Sequence, residues 1–151
     1  FLVMKTLGLL NSHLGLILAY CVTALTLCVW MLKGFFDTIP RELEEAAELD
    51  GCNQFQVFTK VVLPLSTPAI AVTALFSFLA AWNEFLLALT FNTSNDMYTL
   101  PVGLASLISS TGQAWGDFAA ASLLVSLPVA LLFLFFQKFL IDGLSAGGVK
   151  G

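Results

Sequence analysis

Few residues of this chain carry reactive or ligand-binding chemistry, and most of them stand apart from one another. Glu84 is a carboxylate inside a long apolar stretch, directly after Trp82 and Asn83. A ring beside an amide and a carboxylate suits a sugar: the ring stacks on C–H faces and the polar groups take hydroxyls. The same trio could equally serve hydrogen bonding between helices. The other acids are crowded elsewhere: Glu42, Glu44, Glu45, Glu48 and Asp50 make five of the ten. Cys21, Cys28, Cys52 and the single His13 show no metal-ligand spacing, and the cysteines read as reduced, small apolar residues. No nucleophile–base pair is visible, and no glycine loop ends in Gly-Lys-Ser/Thr, the phosphate cradle of nucleotide hydrolases. The expectation is therefore no catalytic residue, no metal and no cofactor bound by this chain. The absence of a basic stripe also argues against nucleic acid.

The elements that must position these residues follow from composition. Of 151 residues, 58% are hydrophobic and 11% charged, with a mean hydropathy of +0.92. A soluble domain carries about 25% charged residues, so the charges here are too few to cover a water-facing surface. Continuous apolar runs exclude the alternation of a β-barrel. The fold class expected is all-α, a polytopic transmembrane helical bundle. A membrane helix needs roughly 20 apolar residues, and three stretches qualify, at about 14–36, 65–91 and 118–136. Residues 1–10 are apolar but short, carry Lys5 and lack the features of a signal peptide. They read as the end of a preceding helix.

Basic residues set the orientation. Lys33, Arg41, Lys60, Lys138 and Lys150 flank the 37–64 loop or follow the third stretch, against Lys5 alone on the other side. The loop 37–64 and the C-terminus are expected to be cytoplasmic, and 92–117 external. Glu84 then lies about 9 Å beyond the centre of the second span. A central carboxylate costs about 2.5–3.5 kcal/mol on insertion scales, so Glu84 must face the bundle, water or a partner. Small and polar residues recur at helical spacing: Thr73, Ser77, Ala80, Glu84 and Ala88 in the second stretch, Ala119, Ser122, Ser126 and Ala130 in the third. They suit close helix packing or a lined pathway. Pro128 is expected to kink the third.

The 37–64 loop is more than a link. Asp37 or Thr38 can cap a helix, and Pro40 suits its first turn. Gly51 supplies the left-handed residue that ends it. Asn53 with Gln56 makes a capping-box pair for a second helix, whose apolar stripe would be Phe55, Phe58, Val61 and Val62. Leu63-Pro64 would end that helix. Membrane-surface helices are rich in Lys and Arg; this elbow is acidic, so a protein groove is the better partner.

The spacing of that elbow resembles a known motif. Glu45-Ala46-Ala47, three residues, Gly51, nine residues, then Val61-Val62-Leu63-Pro64 looks like the cytoplasmic docking motif of ABC importer permeases, with Val61 where the family has Ile. The Trp82–Phe85, Thr99–Leu104, Trp115–Phe118 and 143–151 segments resemble the carbohydrate-importing, maltose-type branch, and in particular its second permease subunit. The resemblance implies the C-terminal half of such a permease. It implies a bacterial-type plasma membrane location and three partners: an ABC ATPase dimer that holds ATP and Mg²⁺, a second homologous permease, and a periplasmic or lipid-anchored sugar-binding protein. Glu45 would be the polar contact in the ATPase cleft, Gly51 the elbow, Phe55, Phe58, Leu63 and Pro64 the anchor, and the tail 147–151 would reach toward the ATPase. Another solute such as glycerol phosphate is an alternative cargo. A secondary transporter or scaffold is a remoter one, since ion coupling needs several intramembrane ionisable groups and Glu84 stands alone.

Overall fold

The computed structural model describes the backbone of residues 1–109, 112–113 and 115–148, and the side chains of 1–108 and 115–139. The tail expected to reach toward an ATPase lies largely outside the described residues. The architecture is helical: α1 (Leu2–Thr6), α2 (His13–Phe36), α3 (Arg41–Leu49), α4 (Gln54–Val57), a π turn (Phe58–Val62), α5 (Leu63–Leu65), α6 (Thr67–Trp82), α7 (Leu86–Phe91), a 3₁₀ turn (Asn95–Met97), α8 (Leu100–Ser106) and α9 (Trp115–Gly148). A two-residue antiparallel pair, β1 (Ile108–Ser109) with β2 (Gly112–Gln113), precedes α9.

Among the described residues, two helices are long and apolar enough to cross a membrane, α2 and the Trp115–Phe139 part of α9, and almost none of either is buried within the protein. Apolar helices that keep residues such as Val22, Val29, Leu124 and Phe135 exposed need lipid or protein around them. A third crossing is not one continuous helix. The stretch expected to run over 65–91 divides into α6 and α7, separated at Asn83–Phe85. With 16 residues, α6 rises about 24 Å, short of a hydrocarbon core of about 30 Å. The segment Gln54–Leu65 joins α6 through a 70° bend. Pro68 has no amide hydrogen to offer the Pro64 carbonyl, so the helical ladder fails there and the chain turns. Ser66 fills the corner: it is fully buried, and its Oγ donates to the Val62 carbonyl at 2.6 Å.

Two further expectations are corrected. The 92–117 stretch, expected to be an external loop, is not a plain loop, since it holds the 3₁₀ turn, α8 and the β pair. The third membrane helix starts earlier than 118 and continues past 136 as far as Gly148. Pro128 lies within α9, which carries on through it.

The chain clusters into two compact units. One comprises Phe1–Leu25 and Ser77–Leu134. Its core is small: Leu16, Ala88 and Val102, flanked by Tyr20, Phe85 and Tyr98. Asn11 braces this unit from a left-handed backbone, φ +54°. Its amide donates to the Phe91 carbonyl, its Oδ1 accepts from the Thr93 and Ser94 amides, and its Nδ2 donates to Ser94 Oγ. Next to it the chain makes a close approach. A Cβ on Gly15 would stand 2.0 Å from the Leu9 carbonyl oxygen, so glycine alone fits. The other unit comprises Thr26–Phe76 and the chain from Phe135, and it contains the whole elbow.

Candidate functional site

The elbow is built almost entirely from short-range hydrogen bonds. Helix α3 is entered from Pro40, held at φ −62° and ψ 130° with no side-chain cap. Neither Asp37 nor Thr38 caps it. Both are still tied to the end of α2: Lys33 Nζ donates to Asp37 Oδ2 at 2.6 Å, and Thr38 Oγ1 donates to the Phe35 carbonyl. The Lys33–Asp37 pair is solvent-exposed on both sides, and contributes about 0.5 kcal/mol or less. Glu42 and Glu44 in the first turn of α3 offset the positive end of the helix dipole.

The far end of α3 closes with a Schellman motif. The Gly51 amide donates to the Glu48 carbonyl, the Cys52 amide reaches back to the Ala47 carbonyl, and Gly51 sits at φ +86°. That is the paired 5→2 and 6→1 pattern which a left-handed glycine permits. Asn53 then starts α4 with a full capping box: the Gln56 amide donates to Asn53 Oδ1 at 2.9 Å, and the Asn53 amide donates to Gln56 Oε1 at 3.0 Å. The two caps fix the turn from both sides, and α3 packs against α4 and the π turn.

The second arm does not stop at Leu63-Pro64. It passes through the π turn and α5 to Leu65. The Leu63 amide donates five residues back, to the Phe58 carbonyl. A proline ring crowds the carbonyl four residues before it, here that of Lys60, and widening the helix to the i→i+5 pattern relieves that crowding. The extra residue shifts the phase of the arm. The buried side chain is Val57, at 5% exposure, whereas Phe55 is 74% exposed and Phe58 43%. Phe55 and Phe58, expected to anchor the elbow in an ATPase, thus face outward from the chain.

The motif residues take distinct positions. Ala47 is buried and Ala46 exposed, so one alanine packs inward and the other is presented. Glu45 lines a hollow of about 690 Å³ with Asp37, Arg41, Glu44, Glu48, Phe36 and Ile39. Leu49, 89% exposed, joins Phe55 as an apolar side chain left in solvent on either side of the Gly51 turn. Leu49 and Val57 had no part in the expected site. Heptad-like counting across a π turn misassigns its faces, and no pattern marks Leu49 as outward.

The second candidate region divides on inspection. Trp82 ends α6, its ring tilted against Phe78 at 5.2 Å between centroids. Asn83 Nδ2 donates to the Leu79 carbonyl at 2.8 Å, which also accepts the Asn83 backbone amide at 3.0 Å. Trp82 and Asn83 line a groove of about 480 Å³ with Leu79, Leu104, Ser122, Val125, Ser126, Val129, Ala130 and Phe133. Glu84 does not line it. Its Oε1 accepts from the Leu87 amide at 2.9 Å and its Oε2 from the Ala88 amide at 3.0 Å, so both oxygens start α7. Among the described residues, no group of His, Cys, Asp and Glu could hold a metal ion.

Membrane-length apolar helices joined by a doubly capped elbow define an integral membrane protein. The chain belongs to the family of binding-protein-dependent transport system inner membrane components, whose model matches residues 1–145. It is 44% identical over 151 residues to the sulfoquinovosyl glycerol transport system permease protein SmoH of Agrobacterium fabrum, covering 100% of this chain and 53% of that protein. Against the maltose/maltodextrin transport system permease protein MalG of Salmonella typhimurium it is 47% identical over 142 residues, 94% of this chain and 48% of MalG. Against the galactooligosaccharides transport system permease protein GanQ of Bacillus subtilis it is 40% identical over 152 residues, with 100% and 54% covered. The chain spans about half the length of the curated relatives it matches.

Proposed function

We propose that this chain is part of the permease subunit of an ATP-driven sugar importer, and that its elbow is the seat of an ABC ATPase. The observation that carries the reading is the elbow itself. It is a rigidly capped turn on a membrane protein of this family, and it leaves Leu49 and Phe55 in solvent beside an acidic hollow that contains Glu45. Burying one such side chain in a partner contributes about 1.5–3 kcal/mol, and the carboxylates offer charge-assisted hydrogen bonds to basic groups. ATP-driven closure of the ATPase dimer would move the elbow as a unit and switch the membrane helices between inward and outward access. ATP and Mg²⁺ are assigned to that ATPase, and the chain itself catalyses nothing covalent. The remaining partners are a second homologous permease and a sugar-binding protein on the outer side. The location is a bacterial-type plasma membrane, with the elbow and C-terminus on the cytoplasmic side. The transported sugars in the printed names of three similar permeases favour a carbohydrate over another solute.

The test uses the full-length permease co-expressed with its ATPase and partner permease. Gly51→Pro removes the Gly51–Glu48 hydrogen bond and forbids φ +86°; Glu45→Lys reverses charge in the hollow. Both are expected to abolish co-purification of the ATPase and sugar-stimulated ATP hydrolysis. Retention of both properties in both variants overturns the docking reading.

A further inference from the structure

We infer that the groove between the end of α6 and α9 is a water-filled wall of the transport path that contacts sugar through Trp82, Asn83, Ser122 and Ser126, while Glu84 only positions it. The inference rests on the permease reading above and adds a contact site to it.

Asn83 uses Nδ2 on the Leu79 carbonyl, and among the described residues no hydrogen bond reaches its amide oxygen or the Trp82 indole N–H. Both residues line the same groove. At membrane depth an unpaired amide oxygen and indole N–H are strongly disfavoured in hydrocarbon. Lipid is therefore a poor occupant, and water or a hydroxylated ligand a good one. The opposite wall agrees. Ser122 Oγ donates to the Phe118 carbonyl and Ser126 Oγ to the Leu123 carbonyl. Each hydroxyl has thus placed its proton, and its lone pairs remain as acceptors for hydroxyl donors. The Trp82 and Phe133 rings supply the apolar surface on which sugar C–H faces stack. At about 480 Å³ the groove falls in the range of small-ligand sites, about 300–1,000 Å³.

Glu84 does not line the groove. With both oxygens on the Leu87 and Ala88 amides, it ties the start of α7 to the residue beside Asn83. Its role is to hold the helix break open at a fixed place, so that the chain presents Asn83 and Trp82 from a terminus instead of winding them into a continuous helix.

The test is accessibility by thiol chemistry in the complete transporter. In full-length permease with Cys21, Cys28 and Cys52 replaced by serine, Asn83→Cys, Ser122→Cys and Ser126→Cys are introduced singly. Leu127→Cys, exposed on α9 and outside the groove, serves as the lipid-facing control. The complexes are first assayed for ATPase co-purification and for uptake of maltose, maltotriose and galactobiose; failure of the parent complex at this step counts against the permease reading, not against the groove. A charged methanethiosulfonate reagent is then applied with and without an imported sugar, binding protein and ATP. The groove cysteines are expected to react and the control not to. Sugar at about ten times its dissociation constant should slow labelling about tenfold by mass action. If the groove cysteines resist the reagent, a helix or lipid covers the groove and the inference falls. If they react but no imported sugar slows them, the groove holds water alone and the sugar contact falls.

Discussion

The elbow and the break at Asn83–Phe85 both interrupt a helix, but they secure the interruption in opposite ways. In the elbow every described cap is local: Gly51 to Glu48, Cys52 to Ala47, Asn53 to Gln56 and back. The segment around the break is held locally by Glu84, and also from far along the chain. Asn11 reaches residues 82 and 83 positions away, at Thr93 and Ser94, and its own amide holds the end of α7 at Phe91. A locally closed turn can be moved as one piece without changing shape, which suits an element that transmits force. A turn held by distant residues keeps its geometry only while its neighbours stay in place, which suits the wall of a passage.

The contrast can be broken most severely at Gly15. A methyl there would press into the Leu9 carbonyl oxygen at 2.0 Å, and backbone cannot yield as a side-chain tip can. Gly15→Ala is expected to destabilise the assembled transporter by about 3 kcal/mol. Gly34→Ala, with open space around it on the same helix, should stabilise slightly, by about 0.5–1 kcal/mol. Thermal unfolding in detergent, with ligand concentrations held fixed, measures both. Equal melting temperatures for the two variants would mean that the Leu9–Gly15 approach does not constrain the fold.

A smaller effect separates the two halves of the Asn11 brace. Asn11→Ala loses the side-chain bonds and leaves a β-carbon at φ +54°, for a loss of about 2 kcal/mol. Asn11→Gly loses the bonds but not the backbone compatibility, and should recover about half of that. Amide hydrogen exchange gives the sharper reading. Exchange should quicken over residues 87–94 and stay unchanged over 47–57.

The smallest effect tests the elbow by the same measure. Asn53→Ala removes an N-cap and should cost about 1 kcal/mol. Exchange should quicken near Gln56 and Val57 and remain as before around residues 87–94. If either cap variant loosens both regions alike, the distinction between a local and a braced interruption is lost.

This distinction also explains what could be read from the residues alone. Gly51 as a left-handed stop and Asn53–Gln56 as a capping box follow from residue type and spacing, because the partners lie within five positions. The membrane helices α2 and α9 follow from composition. The division of the second apolar stretch does not. Trp82-Asn83-Glu84 sits in an apolar run with no glycine or proline beside it, and the break shows only when Glu84 is seen on the amides of Leu87 and Ala88. The candidate site was partly legible for the same reason. Trp82 and Asn83 were flagged by type and Ser122 and Ser126 by helical spacing, but that they share a groove with Phe133 is set by contacts about 40 to 50 positions apart, where no local spacing rule applies. Asp37 and Thr38 were plausible caps by type; their competing bonds to Lys33 and Phe35 decided otherwise.

The π turn at Phe58–Val62 has a consequence for length. It is equivalent to one residue more than an α-helix of the same reach requires. Deleting Thr59 would let the arm rewind as ordinary α-helix, and because five residues at the π pitch and four at the α pitch turn through nearly the same angle, Asn53 and Phe55 would keep their bearing relative to Leu65. The Lys60 carbonyl would still stand four residues before the Pro64 ring, now without the wider turn that makes room for it. A single-codon deletion at this point would therefore preserve the aim of the arm and tighten it against its own proline.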